Sequence, residues 1–239
     1  MTETIKGSVV LITGATGAIA QALIAALKAR GAAKIYAAAR DISALAKSDH
    51  LVPIKMDVTG DDEVAKAAAL ATDVTLLINN AGINHNTSFM TAPDLAMARE
   101  EIEVNYLAPL RVTRAFAPAL IKNHGAVLNI LTILSRVNLP LMGSYCASTA
   151  AGLSLTQGLR GELASKGVRI AAALPGAVDT RMTAGLPIPK MTPADAATEI
   201  LDGFEAGEEE IYVGEMARGL AQGLSADPKA VERQLAQPG

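Results

Sequence analysis

Short apolar runs rich in β-branched residues alternate along the chain with longer segments whose apolar residues recur at helical spacing. The long segments predict helices, among them an Ala-rich one that Gly31 ends. The predicted strands are Val9–Thr13, Lys34–Ala38, Val52–Lys55, Thr75–Asn79, Ala126–Thr132, Arg169–Leu174 and Ile211–Val213. The predicted helices are Ala18–Arg30, Asp61–Ala71, Pro93–Asn123, Tyr145–Ser165 and Pro193–Phe204, with a terminal helix after Gly214.

Strands that alternate with helices pair in parallel, because parallel neighbours need a long crossover between them. The pattern therefore predicts an α/β fold with a single doubly wound parallel sheet of about seven strands, flanked by helices. Half of the residues are hydrophobic but only 3% are aromatic, so Ala, Val, Ile and Leu must build the core. We find no linker, repeat or low-complexity tract, which predicts one domain over residues 1–239.

Charge and composition exclude several classes of partner. A formal net charge of -3 argues against non-specific nucleic-acid binding, which needs a basic surface. No apolar run approaches the roughly 18 residues of a membrane span, and residues 1–17 lack the features of a signal peptide. The lone Cys146 forms no intrachain disulfide. We therefore expect a cytoplasmic protein that acts on a small molecule, without a metal site, a nucleic acid or a membrane partner.

A glycine-containing loop follows the first predicted strand and opens the first predicted helix. Gly14 permits a tight turn there, and Gly17 lets the backbone approach an anion near the free N–H groups of the helix. The spacing differs from the G-x-G-x-x-G fingerprint, so an ordinary strand–helix turn is the alternative. Its position after the first strand favours a pyrophosphate loop of a Rossmann-type sheet.

The second strand ends in Ala39 and Arg40. An acidic side chain at this place would bind the ribose 2′-hydroxyl of NAD, whereas an arginine accommodates the 2′-phosphate of NADP. Arg40 therefore predicts NADP(H) in preference to NAD(H). The alternative is a solvated arginine that pairs with Asp41.

Six segments together resemble the short-chain dehydrogenase/reductase family over essentially the whole chain. Their order and spacing match the family, although Ala20 stands where the loop usually has a third glycine. The resemblance implies an oxidoreductase that uses a nicotinamide cofactor. The segments are TGATGAI (13–19), MDVT (56–59), NNAG (79–82), VNYLAP (104–109), YCAS (145–148) and PGAVDT (175–180).

The resemblance also implies which residues bind the cofactor. One group would hold the pyrophosphate, a second would flank the adenine, a third would line the middle of the cofactor, and a fourth would secure the nicotinamide. In that order they are Thr13, Gly14, Thr16, Gly17, Ala18 and Ile19; Asp57 and Val58; Asn80, Ala81 and Gly82; and Pro175, Gly176, Val178 and Thr180.

The family's catalytic residues are typically Asn, Ser, Tyr and Lys. Asn105 and Tyr145 match the first and third. The serine usually precedes the tyrosine by thirteen residues and the lysine follows it by four, which places them at Thr132 and Thr149. Two of the four catalytic positions therefore hold threonine. Asn105 can also have a structural role, bonded to backbone in a helix kinked near Pro109.

The two departures differ in their expected effect. Thr132 keeps a hydroxyl that can donate to a carbonyl, with a stiffer side chain than serine; Ser135 is a poorly spaced substitute. Thr149 cannot supply a positive charge. Without that charge the pKa of Tyr145 would lie two or three units higher, which corresponds to roughly 3–4 kcal/mol. A step that needs tyrosinate would then be about two to three decades slower. Alcohol oxidation needs Tyr145 as a base and suffers most, whereas carbonyl reduction needs the phenol protonated. Lys190 is a weak candidate to replace the missing ammonium.

Three functions remain open. The first is an NADP(H)-dependent oxidoreductase that interconverts a small, largely apolar ketone or aldehyde and its alcohol, with weakened turnover. The second is a catalytically impaired cofactor-binding variant or pseudoenzyme, and the third is a non-redox catalyst that reuses the pocket with His85 or Asn84. We expect residues 84–90, 134–142 and 185–191 to form the substrate pocket. The resemblance implies a homodimer or homotetramer built through the long helices.

Overall fold

A computed structural model describes residues 4–45 and 48–237. Within them, seven strands form one parallel sheet in the order β3-β2-β1-β4-β5-β6-β7. The predicted fold class is confirmed, and the seventh strand is present. The strands are β1 Val9–Thr13, β2 Lys34–Ala39, β3 Leu51–Lys55, β4 Leu76–Asn79, β5 Ala126–Ile130, β6 Arg169–Pro175 and β7 Glu210–Val213.

Helices connect the strands and cover both faces of the sheet. None of those that the structure describes is long and apolar enough to span a bilayer. They are α1 Ala18–Ala29, α2 Asp61–Leu70, α3 Ala96–Ile102, α4 Ala108–Lys122, α5 Gly143–Ala164, α6 Pro193–Ala206, α7 Gly214–Ala226 and α8 Pro228–Leu235.

Alternate residues of the central strand β1 point to opposite faces of the sheet and anchor two cores. Val10 and Ile12 pack toward α1 and α6, whereas Leu11 packs toward α2, α4 and α5. Small strand residues such as Ala171 and Ala173 are fully buried, so helices approach the sheet closely. The core is therefore aliphatic, as the scarcity of aromatic residues predicts.

The strand order reverses between β1 and β4, which are neighbours in the sheet although β2 and β3 separate them in the chain. At such a switch point the two following connections leave in opposite directions and open a crevice at the carboxyl ends of the strands. The Gly14–Gly17 loop follows β1, and the segment from Asn80 follows β4. The fold thus places both predicted cofactor segments at one crevice.

The predicted long helix Pro93–Asn123 differs from the structure. It begins at Ala96 and is interrupted by a π-helical turn over Glu103–Leu107, after which α4 continues from Ala108. Pro109 sits in the first turn of α4, where its missing N–H costs little. A continuous apolar pattern does not reveal such a turn, because the contact that holds it comes from residue 83.

Two further boundaries differ at the site. The strand predicted over Ala126–Thr132 ends at Ile130, so Thr132 stands in the loop as the cap of a short 3₁₀ turn, Ile133–Ser135. The tail after Gly214 forms two helices, because Asp227 breaks the first and caps the second through the amide of Ala230 at 2.9 Å. Pro228 occupies the first turn of α8, where its missing N–H costs little.

Candidate active site

The loop after β1 is held by backbone constraints that only glycine meets. Gly14 has a φ of +64°, and a Cβ there would lie 2.9 Å from the Cα of Ala81. Gly17 caps α1 in an extended conformation and offers no capping side chain. The first N–H groups of α1 therefore remain available to an anion, as a pyrophosphate loop requires.

Thr13 joins this loop to the segment after β4 from the inside. Its hydroxyl accepts hydrogen bonds from the amides of Asn80 and Ala81, both at 3.0 Å, and Asn80 Nδ2 donates to the Thr13 carbonyl at 3.0 Å. Thr13 is 1% exposed. Its hydroxyl thus shapes the crossing of the two segments and does not face the crevice.

A cavity of about 580 Å³ runs along the crevice, a volume typical of ligand pockets. It brings together seven of the predicted cofactor residues, the candidate His85 and several residues that sequence reasoning missed. The predicted cofactor residues are Gly14, Thr16, Arg40, Asp57, Val58, Ala81 and Gly82, and the missed ones include Ile83, Glu100 and Glu103.

Arg40 is exposed at the rim of this cavity. Its proposed alternative partner is engaged elsewhere, because the Asp41 carboxylate accepts a hydrogen bond from the Ser43 amide at 2.9 Å. Within the described ranges no ion pair joins Arg40 to Asp41. The guanidinium is free to meet an anionic ligand.

Asp57 is held ionised at the same wall. Its carboxylate accepts from the amide and the hydroxyl of Thr59, at 2.9 and 2.7 Å, and these bonds lower the pKa of Asp57. The positive charges of Arg40 and Arg111 lower it further. The end of the crevice after β2 and β3 therefore combines a fixed carboxylate with a free arginine.

A second cavity of about 100 Å³ lies deeper, at the ends of β4 and β5. It brings together Asn105, Tyr145 and Thr149, three of the four predicted catalytic positions, and the predicted cofactor residues Ile19, Asn80, Ala81 and Gly82. The remaining lining residues are Asn79, Pro109, Asn129, Ile130, Leu131 and Met182. Among these described residues none is a lysine or an arginine.

Thr132, the fourth position, reaches Tyr145 from the loop after β5. Its hydroxyl is near enough to the Tyr145 phenol to lower the pKa of that phenol, and it donates to the Pro175 carbonyl at 3.4 Å. As a cap it also accepts from the Leu134 amide at 3.3 Å. The structure therefore brings the two side chains, thirteen residues apart in the sequence, close together. Ser135, the weaker substitute, is buried and its Oγ has no hydrogen-bond partner in the described chain.

The environment of Tyr145 disfavours tyrosinate. Burial raises the pKa of its phenol well above the usual 10, and the neighbouring Cys146 thiol and Glu101 carboxylate raise it further. The nearby Thr132 hydroxyl lowers the pKa only in part. No cation among the described residues opposes this shift, so the phenol stays protonated.

Thr149 does not replace the charge or the proton donor of a lysine. It is buried, and its hydroxyl lies 3.0 Å from the Tyr145 carbonyl and 3.1 Å from the Cys146 carbonyl. A hydroxyl has one hydrogen, which these two oxygens share. Toward the cavity, Thr149 Oγ1 can therefore act only as a hydrogen-bond acceptor.

Asn105 fastens the π-helical turn to the segment after β4. Its amide bonds both backbone groups of Ile83, accepting at 2.9 Å and donating at 2.9 Å. It also donates to Ser148 Oγ at 2.9 Å, which itself donates to the Tyr145 carbonyl at 2.8 Å. Asn105 is thus bonded to backbone, as the structural interpretation of this residue expects, and it lines the catalytic cavity as well.

Residues 175–180, which the family resemblance expects to secure the nicotinamide, form one wall of the crevice mainly through their backbone. The Gly176 amide donates to the Val213 carbonyl at 3.1 Å, and Val178 is buried and bridges to Met191. Thr180 caps the short turn Arg181–Thr183. From this segment Met182 lines the deeper cavity, a position that sequence reasoning missed.

Sequence reasoning also missed a buried chain of polar side chains. Asn79 and Asn129 are paired across β4 and β5. Asn79 Nδ2 donates to Asn129 Oδ1 at 2.9 Å and to Thr113 Oγ1 at 3.1 Å, and Asn129 Nδ2 donates to Thr156 Oγ1 at 2.8 Å. Two asparagines in otherwise apolar strands are the signal that could have found it, since buried amides need partners.

The loop after Gly82 is held by a carboxylate. Glu101, 1% exposed, accepts the His85 amide at 2.8 Å through one oxygen, and its other oxygen has no partner in the described chain. His85 Nε2 lies 3.0 Å from Glu100 Oε2, and Asn84 Nδ2 contacts Asn86 and Met142. His85 lines the larger cavity and not the one at Tyr145.

These residues fit a nicotinamide dinucleotide. The crossing of Gly14 over Ala81 leaves no room for a Cβ, the first N–H groups of α1 have no capping side chain, and Ala81 and Gly82 line both cavities. The residues from Arg40 to Tyr145 would hold such a group.

A Rossmann-type sheet with this crevice and a Tyr–Thr pair defines a dinucleotide-binding α/β protein. Residues 8–189 match the family model described as short chain dehydrogenase, and the chain belongs to that family. It is 44% identical to a short-chain dehydrogenase from Burkholderia cenocepacia solved in complex with NADP, with a TM-score of 0.96, over 99% of this chain and 100% of that one. A short-chain dehydrogenase/reductase from Burkholderia phymatum in complex with NAD, 20% identical, shows the same fold with a TM-score of 0.85, over 95% and 96% of the two chains.

Curated relatives agree on the family. A short-chain dehydrogenase of Penicillium ochrochloron is 37% identical over 181 residues, which are 72% of this chain and 66% of the relative. The chain thus spans about two thirds of that relative's length. The 3-oxoacyl-(acyl-carrier-protein) reductase of Escherichia coli is 30% identical over 190 residues, 76% of this chain and 78% of the relative.

Proposed function

We propose that the protein is an NADP(H)-dependent oxidoreductase that interconverts a small, largely apolar ketone or aldehyde and its alcohol. The chain acts as a single domain over residues 1–239 that both binds the dinucleotide and performs the reaction. The observation that supports this most is the proximity of the Thr132 hydroxyl to the Tyr145 phenol, at the same crevice as the loop in which Gly14 has a φ of +64°.

The preference for NADP(H) rests on Arg40. It is exposed at the rim of the larger cavity, and Asp41 bonds Ser43 instead of pairing with it. A free guanidinium binds a 2′-phosphate through charge-assisted hydrogen bonds that NAD(H) cannot make. The NADP bound by the Burkholderia cenocepacia relative supports the same assignment.

Two side chains of the protein, Thr132 and Tyr145, act on the substrate oxygen. A bound NADP(H) supplies or accepts the hydride at the carbonyl carbon. Thr132 donates a hydrogen bond to the oxygen, and Tyr145 gives it a proton in reduction or takes one in oxidation. Because burial keeps the Tyr145 phenol protonated, reduction is the favoured direction and oxidation is slow.

An apolar rim supports a largely apolar substrate. Phe89, Met90, Leu141 and Ile188 are exposed, and each lies in one of the three segments expected to form the pocket. The Phe89 ring covers Gly143 at the start of α5, two residues before Tyr145. Apolar surface of this kind favours uncharged substrates.

The test is NADPH oxidation over a panel of small ketones and aldehydes, followed at the absorbance of the reduced cofactor. We expect slow, substrate-dependent oxidation that Tyr145→Phe abolishes while NADPH binding persists. Absence of NADPH binding by calorimetry would overturn the proposal.

A second candidate is a cofactor-binding protein with little redox turnover, and the geometry of Thr149 favours it. Its hydroxyl hydrogen is used on two backbone carbonyls, so neither charge nor a proton path replaces the lysine. Tight NADPH binding without any absorbance change over the whole panel would select this candidate over the first.

We propose a homodimer or homotetramer assembled through the long helices. Surface glycines in the middle of α5, Gly158 and Gly161, have open space around them and permit close approach of a second copy. Size-exclusion with light scattering tests this, and a clean monomer would contradict it. The cytoplasmic location expected from the sequence stays a prediction.

A further inference from the structure

Methionines are concentrated where the substrate's own substituents must lie. Five of the eight in the chain belong to the segments expected to form the substrate pocket or lie close to the segment after β6. Methionine has an unbranched, polarizable side chain that adapts to the shape of a bound ligand. The five are Met90, Met142 and Met191, the last residues of the three pocket segments, together with Met182 in the turn after β6 and Met216 in the first turn of α7.

Met182 is the methionine that reaches the reacting groups. It lines the deeper cavity together with the Tyr145 phenol and with Leu131, and it is half-buried. A substrate whose carbonyl oxygen meets Tyr145 therefore carries its substituents past the Met182 side chain.

Two other sulfur atoms are occupied by hydrogen bonds. Asn84 Nδ2 donates to Met142 Sδ at 3.3 Å, and Thr87 Oγ1 donates to Met97 Sδ at 3.4 Å. Within the ranges that the structure describes, the sulfur of Met182 accepts no such bond. It is free to contact a ligand.

Met216 and Met191 border the same region from α7 and from the loop before α6. The Met216 Cβ lies 2.9 Å from where a Cβ on Gly176 would stand, and 40% of Met216 is exposed. The Met191 amide donates to the Ala177 carbonyl at 3.0 Å. Both methionines thus lie against the segment that begins at Pro175, whose carbonyl accepts from the Thr132 hydroxyl.

An aromatic ring stands on the other side of the mouth. Phe89 is 60% exposed, and its ring atoms come within 2.7 Å of where a Cβ on Gly143 would stand, two residues before Tyr145. The neighbouring Met90 is 93% exposed. Aromatic residues make up only 3% of this chain, so a solvent-facing ring beside the catalytic tyrosine is not a product of composition.

Thioether sulfur and aromatic surface both discriminate between flat and saturated rings. A sulfur about 5 Å from the edge of an aromatic ring raises affinity by about two- to tenfold, and a ring stacked on or set edgewise to Phe adds to this. A saturated ring with the same carbon skeleton buries a similar apolar area but makes neither contact. A mouth of leucines would not separate the two.

We propose that the substrate carries an aromatic ring on its carbonyl carbon, as an aryl ketone or aryl aldehyde, and that Met182, Met216 and Phe89 hold the ring. The inference rests on the proposed function. Reduction adds the hydride of bound NADPH to the carbonyl carbon and a proton to its oxygen, which gives the benzylic alcohol and the oxidised cofactor.

Binding is measured first, on protein saturated with NADP+, in which a ketone cannot be reduced. Calorimetry compares acetophenone with cyclohexyl methyl ketone, a matched pair that differs in the aromaticity of the ring. We expect the Kd of acetophenone to be at least threefold lower. Equal Kd values, or tighter binding of the saturated ketone, would overturn the proposal without any variant.

Leucine variants test the sulfur atoms at nearly constant volume. Met182→Leu combined with Met216→Leu should raise the Kd of acetophenone until it matches that of cyclohexyl methyl ketone, whose own Kd should change little. Met97→Leu is the control, because the Met97 sulfur is used on Thr87, and it should keep the preference of wild type. An undiminished preference in the double variant would overturn the assignment of the ring to these methionines.

Turnover separates this inference from the proposed function. If NADPH is oxidised by aliphatic ketones and the protein has no preference for acetophenone over its saturated partner, the substrate class is wrong and the proposed function stands. If acetophenone binds preferentially but no carbonyl compound oxidises NADPH, the aromatic site stands and the proposed function is wrong.

Discussion

Thr149 returns its hydroxyl to the carbonyl of Tyr145, one helical turn before it, at 3.0 Å. A threonine hydroxyl that donates to the carbonyl four residues earlier has its hydrogen-bond partner within its own helix. It therefore leaves the phenol of the same Tyr145 without a positively charged neighbour. The predicted kinetic properties of the site follow from this relationship.

The pH dependence of the two directions should differ. Burial raises the pKa of Tyr145 above 10, so the tyrosinate fraction grows about tenfold per pH unit throughout the accessible range. The rate of alcohol oxidation should rise with a slope near one up to about pH 10 without a plateau, whereas carbonyl reduction should be flat near neutral pH. Initial rates in both directions across this range provide the measurement, and a plateau of oxidation below pH 8 would contradict the assignment.

Thr149→Lys should restore oxidation. An ammonium within about 4–6 Å lowers the phenol pKa and should accelerate oxidation at neutral pH by about two to three decades, with a plateau at lower pH than in wild type. Thr149→Met serves as the control for volume without charge and should give no gain. Combining the lysine with Thr132→Ser tests both departures together, and an unchanged rate in the double variant would refute our account of them.

Thr132 should be needed for its hydroxyl and not for its methyl group. Thr132→Val keeps the shape but loses the hydroxyl beside Tyr145, and we expect kcat for carbonyl reduction to fall by about a hundredfold, the usual cost of one oxyanion donor. Thr132→Ser should retain activity within about tenfold. Steady-state kinetics of the pair decide, and equal rates for valine and serine would show that Thr132 does not touch the reacting oxygen.

Arg40→Ala should change the choice of cofactor. Loss of a charge-assisted contact to a phosphate costs about 1.5–3 kcal/mol, so the Kd for NADPH should rise roughly 10- to 150-fold while that for NADH stays the same. Calorimetric titration with both cofactors measures this. Arg233, exposed in α8, provides a control, and Arg233→Ala should leave both affinities unchanged. Equal affinities of wild type for NADPH and NADH would refute the preference.

Gly14 and Gly219 should respond to alanine with opposite signs. Gly14→Ala strains a φ of +64° and drives its Cβ against Ala81, so the free energy of unfolding should fall by about 1–3 kcal/mol and cofactor binding should be lost. Gly219 lies within α7 with open space around it, and Gly219→Ala should raise stability by about 0.5–1 kcal/mol. Urea unfolding of both variants compares them, and a neutral Gly14→Ala would contradict the tight crossing.

The strands were predictable because their apolar runs are local and strongly patterned. Val9–Thr13 has the predicted bounds, and the other strands shift by no more than two residues at either end. The π-helical turn at Glu103–Leu107 was not predictable from periodicity, because the bonds between Asn105 and Ile83 join residues 22 positions apart. Local pattern carries no information on such a contact.

The sequence predicted which residues of the site lie close together. It did not predict the hydrogen bonds that their side chains make. Spacing within the family pattern brought Thr132 to Tyr145, and that proximity is present. Spacing did not reveal that Thr13 turns its hydroxyl inward, or that Asn79 keeps an unpartnered oxygen. Both depend on rotamers chosen by neighbours on other strands.

The π-helical turn at Glu103–Leu107 sets the rotation of α3 relative to α4. Removing one residue there would wind the segment as ordinary helix and rotate α3 by about 100° against α4. Glu101 would leave the interior, while Phe116 would keep its place under the sheet. The one additional residue of this turn therefore determines which side chain of α3 is buried near Tyr145.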